Sequence, residues 1–129
     1  MTRIGCLSLL LVSVLAAGCG APPVSEGEPV SFSRDVYPIL QSNCQNCHHP
    51  PDGEGYRRSG LNLRTYKDLM RGTRYGPVVV PGDSRHSILI MLVEGRADQS
   101  IRMPHGKAPL GTFEIEVLRQ WVAQGARNN

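Results

Sequence analysis

Three side chains within five residues limit this chain more than anything else in it: Cys44, Cys47 and His48, in the run Cys44-Gln45-Asn46-Cys47-His48. At C-x-x-C-H spacing, two thiols can add to the two vinyl groups of one porphyrin while the adjacent imidazole reaches the iron from the same side. The pattern predicts one covalently bound haem c, with Cys44 and Cys47 as thioether donors and His48 as an axial iron ligand. With four cysteines and four histidines in 129 residues, chance produces it in roughly 0.4 per cent of such chains. Two other readings compete with this one. A thioredoxin-like redox pair needs a βαβ context, which the sequence lacks. Half a zinc site needs a second pair of cysteines, and there is none.

The four cysteines do not make a disulfide framework. Arg3 precedes an apolar run from Ile4 to Ala17, a positive start and a short hydrophobic stretch of the kind that directs export. The run is too short to span a membrane stably. It ends in Leu15-Ala16-Ala17-Gly18-Cys19, where small residues before a cysteine resemble the lipobox of bacterial lipoproteins. That resemblance implies cleavage before Cys19 and lipidation of its thiol. It reads residues 1–18 as a lipoprotein signal peptide, which would carry Cys6 away. Gly20 after the cysteine resembles outer-membrane sorting, so the expected location is the periplasm, with the lipid in the outer rather than the inner membrane.

Residues 19–30 contain two glycines, three prolines and almost no large apolar side chains. Such a segment cannot bury a core and reads as a flexible tether. Residues 31–129 read as one domain. The net charge of +3 is small, and no basic run is interleaved with aromatics, so nucleic acid is not an expected partner.

The domain's apolar pattern predicts short helices and long loops. Phe32, Val36, Ile39 and Leu40 fall at helical intervals, with Ser33 or Asp35 as N-cap and Pro38 in the first turn. His49 to Gly60 reads as loop throughout. Thr65 caps a helix that ends at Gly72. Gly76 to Gly82 reads as extended backbone against an apolar surface. Asp83 or Ser84 caps a helix whose stripe is Ile88, Leu89, Met91, Leu92 and Val93, stopped by Gly95. Arg96 to Ser100 reads as polar loop. Thr112 caps a last helix with Ile115, Leu118, Trp121 and Val122 on its buried face and Gly125 as its stop. No internal repeat is visible, so one haem per chain is expected. The whole chain has seven aromatic residues. A flat apolar cofactor in the centre would compensate for so thin a core.

The sixth iron ligand decides the function, because an open position permits catalysis or gas binding and a filled one leaves electron transfer. Met103 is the choice. It lies far downstream, outside any helical period, among Arg102, Pro104, His105 and Gly106, where a core-filling methionine has no reason to be. Met70 and Met91, by contrast, sit on helix faces. His105 and His86 are the rival ligands. Arg74, Lys67 and Arg102 could pair with haem propionates.

As a set, Phe32 with Asp35-Val36-Tyr37-Pro38-Ile39-Leu40, the C-x-x-C-H, and Gly60-Leu61-Asn62-Leu63 resemble the small cytochrome c domains of planctomycetes and related bacteria. So do Gly76-Pro77-Val78-Val79-Val80-Pro81-Gly82-Asp83-Ser84, Met103-Pro104, and Trp121-Val122 before Gly125-Ala126. The resemblance implies an all-α, class I cytochrome c-like fold, with three to five short helices around one covalently bound haem. It places His48 and Met103 as axial ligands and Pro77 to Pro81 along the haem pocket. His105 departs from the proline or small residue common at that position. The function implied is a membrane-anchored, periplasmic monohaem electron carrier, not an enzyme, that is a monomer exchanging single electrons with a redox protein donor and acceptor. The alternatives are a peroxidase-like or gas-sensing haem with a displaceable sixth ligand, and a lipoprotein whose haem only staples the fold.

Overall fold

The computed structural model describes residues 28–129. The expected signal peptide, Cys6, Cys19 and most of the tether lie outside the described residues. Among the described residues, Val30 is already tied to the domain: its amide donates to the Gln124 side chain (2.8 Å) and it packs against the core.

The first helical segment starts at Phe32, the first residue of its apolar spacing, and so begins before either expected cap, Ser33 or Asp35. Ser31, in extended conformation, is the N-cap, and its hydroxyl accepts from the Arg34 amide (3.3 Å). Asp35 reaches back to accept from the Ser31 amide (2.8 Å). It is therefore the partner of the cap and not the cap itself. A wide π-helical turn, Phe32–Val36, then leads into α1, Tyr37–Asn43. In a regular α-helix the Pro38 ring would press on the carbonyl four residues back, and a wider turn relieves that contact.

Four further helices follow. Helix α2 is Glu54–Ser59, α3 is Tyr66–Arg71, α4 is Ile88–Val93 and α5 is Thr112–Ala123. A short 3₁₀ turn, Gln99–Ile101, lies within the stretch read as polar loop. No strand occurs among the described residues; Thr73 and Gly76 form an isolated bridge. The domain is all-α, with five short helices.

Helix α2 replaces part of the expected loop. It buries no side chain, so no apolar period announces it. Its determinants are polar and local: Glu54 in the first turn, an ion pair from Arg58 to Glu54 one turn apart (2.7 Å), and Gly60 in left-handed conformation at its end. Helix α3 forms as read, with Thr65 Oγ1 accepting from the Asp68 amide (3.1 Å) and Gly72 closing it.

Two caps move. Asp83 folds the turn before α4, where its carboxylate accepts from the His86 amide (3.0 Å). Ser87 is the N-cap, but its hydroxyl is turned inward, donating to the Asp83 carbonyl (2.8 Å) and accepting from the Val80 amide (2.9 Å). Helix α5 is capped by Gly111, whose amide donates to the Glu114 carboxylate (2.9 Å); Thr112 is already inside the helix.

The core joins the first helix to the last. Phe32, Val36, Leu40, Leu63, Leu69, Ile90, Val93, Leu118, Trp121 and Val122 are all buried. Phe32 packs edge-on to Tyr66 (centroids 5.2 Å apart) and tilted against Trp121 (5.6 Å). The C-terminus holds this seam closed. Trp121 Nε1 donates to the Arg127 carbonyl (2.9 Å), the Tyr66 hydroxyl to the Ala126 carbonyl (2.8 Å), and the Ser33 amide to the Asn129 carbonyl (3.0 Å). The extended piece after Gly76 buries Val78 and Val79 in this core, while Pro77 and Val80 stay exposed. The Val78 carbonyl accepts from the Leu89 amide (2.9 Å), which ties that piece to the start of α4.

Candidate functional site

Helix α1 runs directly into the cysteines. The Cys44 amide donates to the Leu40 carbonyl (2.9 Å), and the Cys47 and His48 amides both donate to the Cys44 carbonyl (3.1 and 3.0 Å). This continues the helical winding by one turn. Positions 44, 47 and 48 therefore have the i, i+3, i+4 relation that puts side chains on one side. The turn brings together the three residues that the motif singled out.

The segment after the turn wraps back over it. The Tyr56 amide donates to the Cys47 carbonyl (3.0 Å), the Leu63 amide to the His48 carbonyl (3.0 Å), and the Gln45 side chain to the Leu63 carbonyl (2.8 Å). Gly53 lies so close beneath that a Cβ there would be 2.4 Å from the Cys47 carbonyl oxygen and 2.6 Å from that of His49. Helix α2 is held in turn by Arg74, whose guanidinium donates to the Arg57 carbonyl (2.6 Å) at the end of the helix. Arg74 thus acts as a cap at the end of α2.

His48 is buried. Burial pushes its imidazole below the usual histidine range, against a smaller opposing pull from the Leu61 carbonyl. The neutral ring is the form that binds a metal. Nδ1 is sealed from solvent and has no hydrogen-bond partner within normal limits among the described residues. A ring held in place by its surroundings, with no hydrogen bond to Nε2 among the described residues, suits a ligand to iron.

Both cysteines are free thiols and half-buried. Burial pushes the Cys44 thiol up to about 11; Lys107 works against this, while Glu114 and Cys47 add to it. Cys44 also touches the apolar core. Two adjacent free thiols, an imidazole on the same side and an apolar margin fit a covalently attached porphyrin. Among the described residues no three His, Cys, Asp or Glu side chains converge on one point as a cage for a bare metal ion.

Met103 is half-buried and packs against the same core as Cys44. Its amide donates to the Leu92 carbonyl at 3.3 Å, a long bond. Of the rivals, His105 is exposed, and His86 is exposed with Nδ1 2.8 Å from the Asp83 carboxylate. His49 Nδ1 lies 3.2 Å from the Pro50 carbonyl. Arg102 lies along Gly95, and its Nε is buried without a partner among the described residues. Lys67 is an exposed side chain on α3.

The sequence reading did not single out Gly53, Gly55 or the α2 backbone, which form the socket around His48. The signal was there, in Glu54 and Arg58 at helical spacing between two glycines. Glu114 was missed as well. It accepts from the Asn43 side chain (3.2 Å) and so joins α5 to the residue before Cys44.

The family of planctomycete cytochromes C matches residues 44–105, from the first cysteine of the motif to just past Met103. No match was found among the curated proteins or the solved structures.

Proposed function

The chain belongs to the planctomycete cytochrome C family, and from that premise we propose that it is a monohaem electron carrier, held by a lipid on Cys19 at the periplasmic face of a membrane. Membership already makes it a c-type cytochrome, in a family whose haem is covalent. The finer reading assigns the roles. Cys44 and Cys47 would hold the haem, and the His48 imidazole and the Met103 thioether would bind its iron. When bound, haem c supplies a one-electron couple.

The observation that carries this reading is the turn that sets Cys44, Cys47 and His48 on one side, with the His48 ring packed closely against Gly55. A ring so held would not need to reorient on electron exchange. Met103 favours the reduced metal more than a second imidazole would, which raises the potential. With both positions filled by the chain, no site remains for a substrate, and electron exchange is the chemistry left. The exported, lipidated form rests on Arg3, the apolar run and Cys19. Tethering confines encounters with a donor and an acceptor to the membrane surface.

The test is an electrochemical titration of the full-length protein in its membrane fraction. The expected result is a reversible one-electron wave from one haem per chain, with the protein released to the soluble fraction by Cys19→Ser. Ready binding of carbon monoxide by the ferrous protein at equilibrium would overturn the filled-site reading in favour of a sensor or peroxidase-like haem.

A further inference from the structure

Helix α2 contains a residue that works against it. Gly55 is its second residue, in ordinary helical backbone, where alanine would stabilise a helix by about 1 kcal/mol. The helix has only six residues and buries none of them, so it has little other stabilisation to spare. The reason for glycine is on its other side. A Cβ at Gly55 would be 2.6 Å from Cε1, 2.8 Å from Nε2 and 2.9 Å from Nδ1 of His48, where ordinary contact begins at 3.4 Å. Three ring atoms at nearly equal distance mean that the imidazole presents its face to the Gly55 α-carbon.

We propose that Gly55 is a positioning residue for the His48 imidazole, with the α2 backbone as the plate that fixes the plane of the ring. The contact leaves Nε2 unobstructed, because a nitrogen lone pair lies in the ring plane and the glycine lies off it. The plate is anchored at both ends. The Tyr56 amide is bound to the Cys47 carbonyl, and the Arg74 guanidinium holds the far end. Ring plane and ligand strength are the two properties a protein can set at a histidine ligand without changing the ligand. The backbone sets the first of these here. This inference rests on His48 being an axial ligand, and the experiment separates the two.

The test compares the intact holoprotein with Gly55→Ala and with Arg57→Ala, an exposed change on the same helix. Proton NMR of the reduced wild-type protein comes first. Ring protons of a haem-ligating histidine are displaced far upfield by the porphyrin ring current, so absence of that shift at His48 overturns the ligand assignment. If the shift is present, nuclear Overhauser contacts from the His48 ring protons to the Gly55 α-protons are expected. Their absence overturns the Gly55 role and leaves the ligand intact. In Gly55→Ala the low-spin ferric EPR signal should change its g-anisotropy and the reduction potential should move, with both unchanged in Arg57→Ala. A Gly55→Ala protein with wild-type EPR, wild-type potential and a more stable fold would overturn the proposal. If that variant does not accumulate with haem, the Overhauser contacts in the wild-type protein decide the question in either direction.

Discussion

The two sides of the expected haem are held in different ways. On the His48 side, residues 44–63 bind back on themselves. The carbonyls of Cys47, His48 and His49 each accept from an amide further along, and two glycines bring backbone against the turn and the ring. On the Met103 side, the loop from Arg96 to Leu110 has one long backbone bond at the methionine and is exposed from His105 to Pro109. The imidazole is set by a socket, and the thioether is presented by a loop resting on the core. On the proposed assignment, the tightly held side would secure the cofactor, and the lightly held one would decide whether the iron is closed to other ligands.

The largest effect should come from breaking the tight side. His48→Ala removes the ligand and empties the space above Gly55. Haem per chain should fall severely, with no low-spin spectrum from what remains, as read by pyridine haemochrome absorbance. Full loading with an unchanged spectrum would erase the distinction between the two sides.

Met103→Ala should do less. The haem should stay attached and the fold cooperative, while the potential falls by a sizeable part of the roughly 0.8 V that axial ligands span. Redox titration and thermal unfolding on the same sample read both. A variant that loses its haem would show that the loop, too, is part of the socket.

The difference in holding was only partly legible in the sequence. Helix α3 announced itself through the Thr65 cap and the Gly72 stop, and α4 and α5 through apolar stripes of which Leu89, Val93, Leu118, Trp121 and Val122 are buried, although α4 also buries Ile90 and leaves Ile88 exposed. Helix α2 buries nothing, so a reading based on apolar period passes over it, although Glu54, Arg58 and Gly60 carry its start, its ion pair and its stop. Caps slipped by a residue or more for a related reason. Ser87 spends its hydroxyl on the core side, and Gly111 needs no side chain once Glu114 reaches its amide. The motif named the chemistry of the site, and the socket around it lay in glycines and backbone groups that carry no chemical label.

A smaller effect should follow from Arg74→Ala, which removes the charged donor at the end of α2. The fold should lose about 1 kcal/mol in denaturant unfolding. Hydrogen exchange at the Tyr56 amide should quicken while that at Met103 does not change. Equal quickening on both sides would mean that the socket is not an independent unit.

The smallest effect lies away from both ligands. The Arg34 guanidinium, and after it the Ser31 amide, hold the Asp35 carboxyl below its ordinary range. The folded form therefore gains stability above the unfolded pKa and loses it as pH falls through the folded one. Asp35→Asn should cost under about 1 kcal/mol at neutral pH and flatten the acid limb of the stability curve, with both ligand spectra unaltered.

Near-infrared magnetic circular dichroism of the ferric protein tests the central assignment most directly. Histidine–methionine ligation predicts the long-wavelength charge-transfer band of a thioether-bound low-spin haem, abolished in Met103→Ala and retained in His105→Ala and His86→Ala. A band at the position of bis-histidine ligation, or a high-spin spectrum in the wild-type protein, would contradict it.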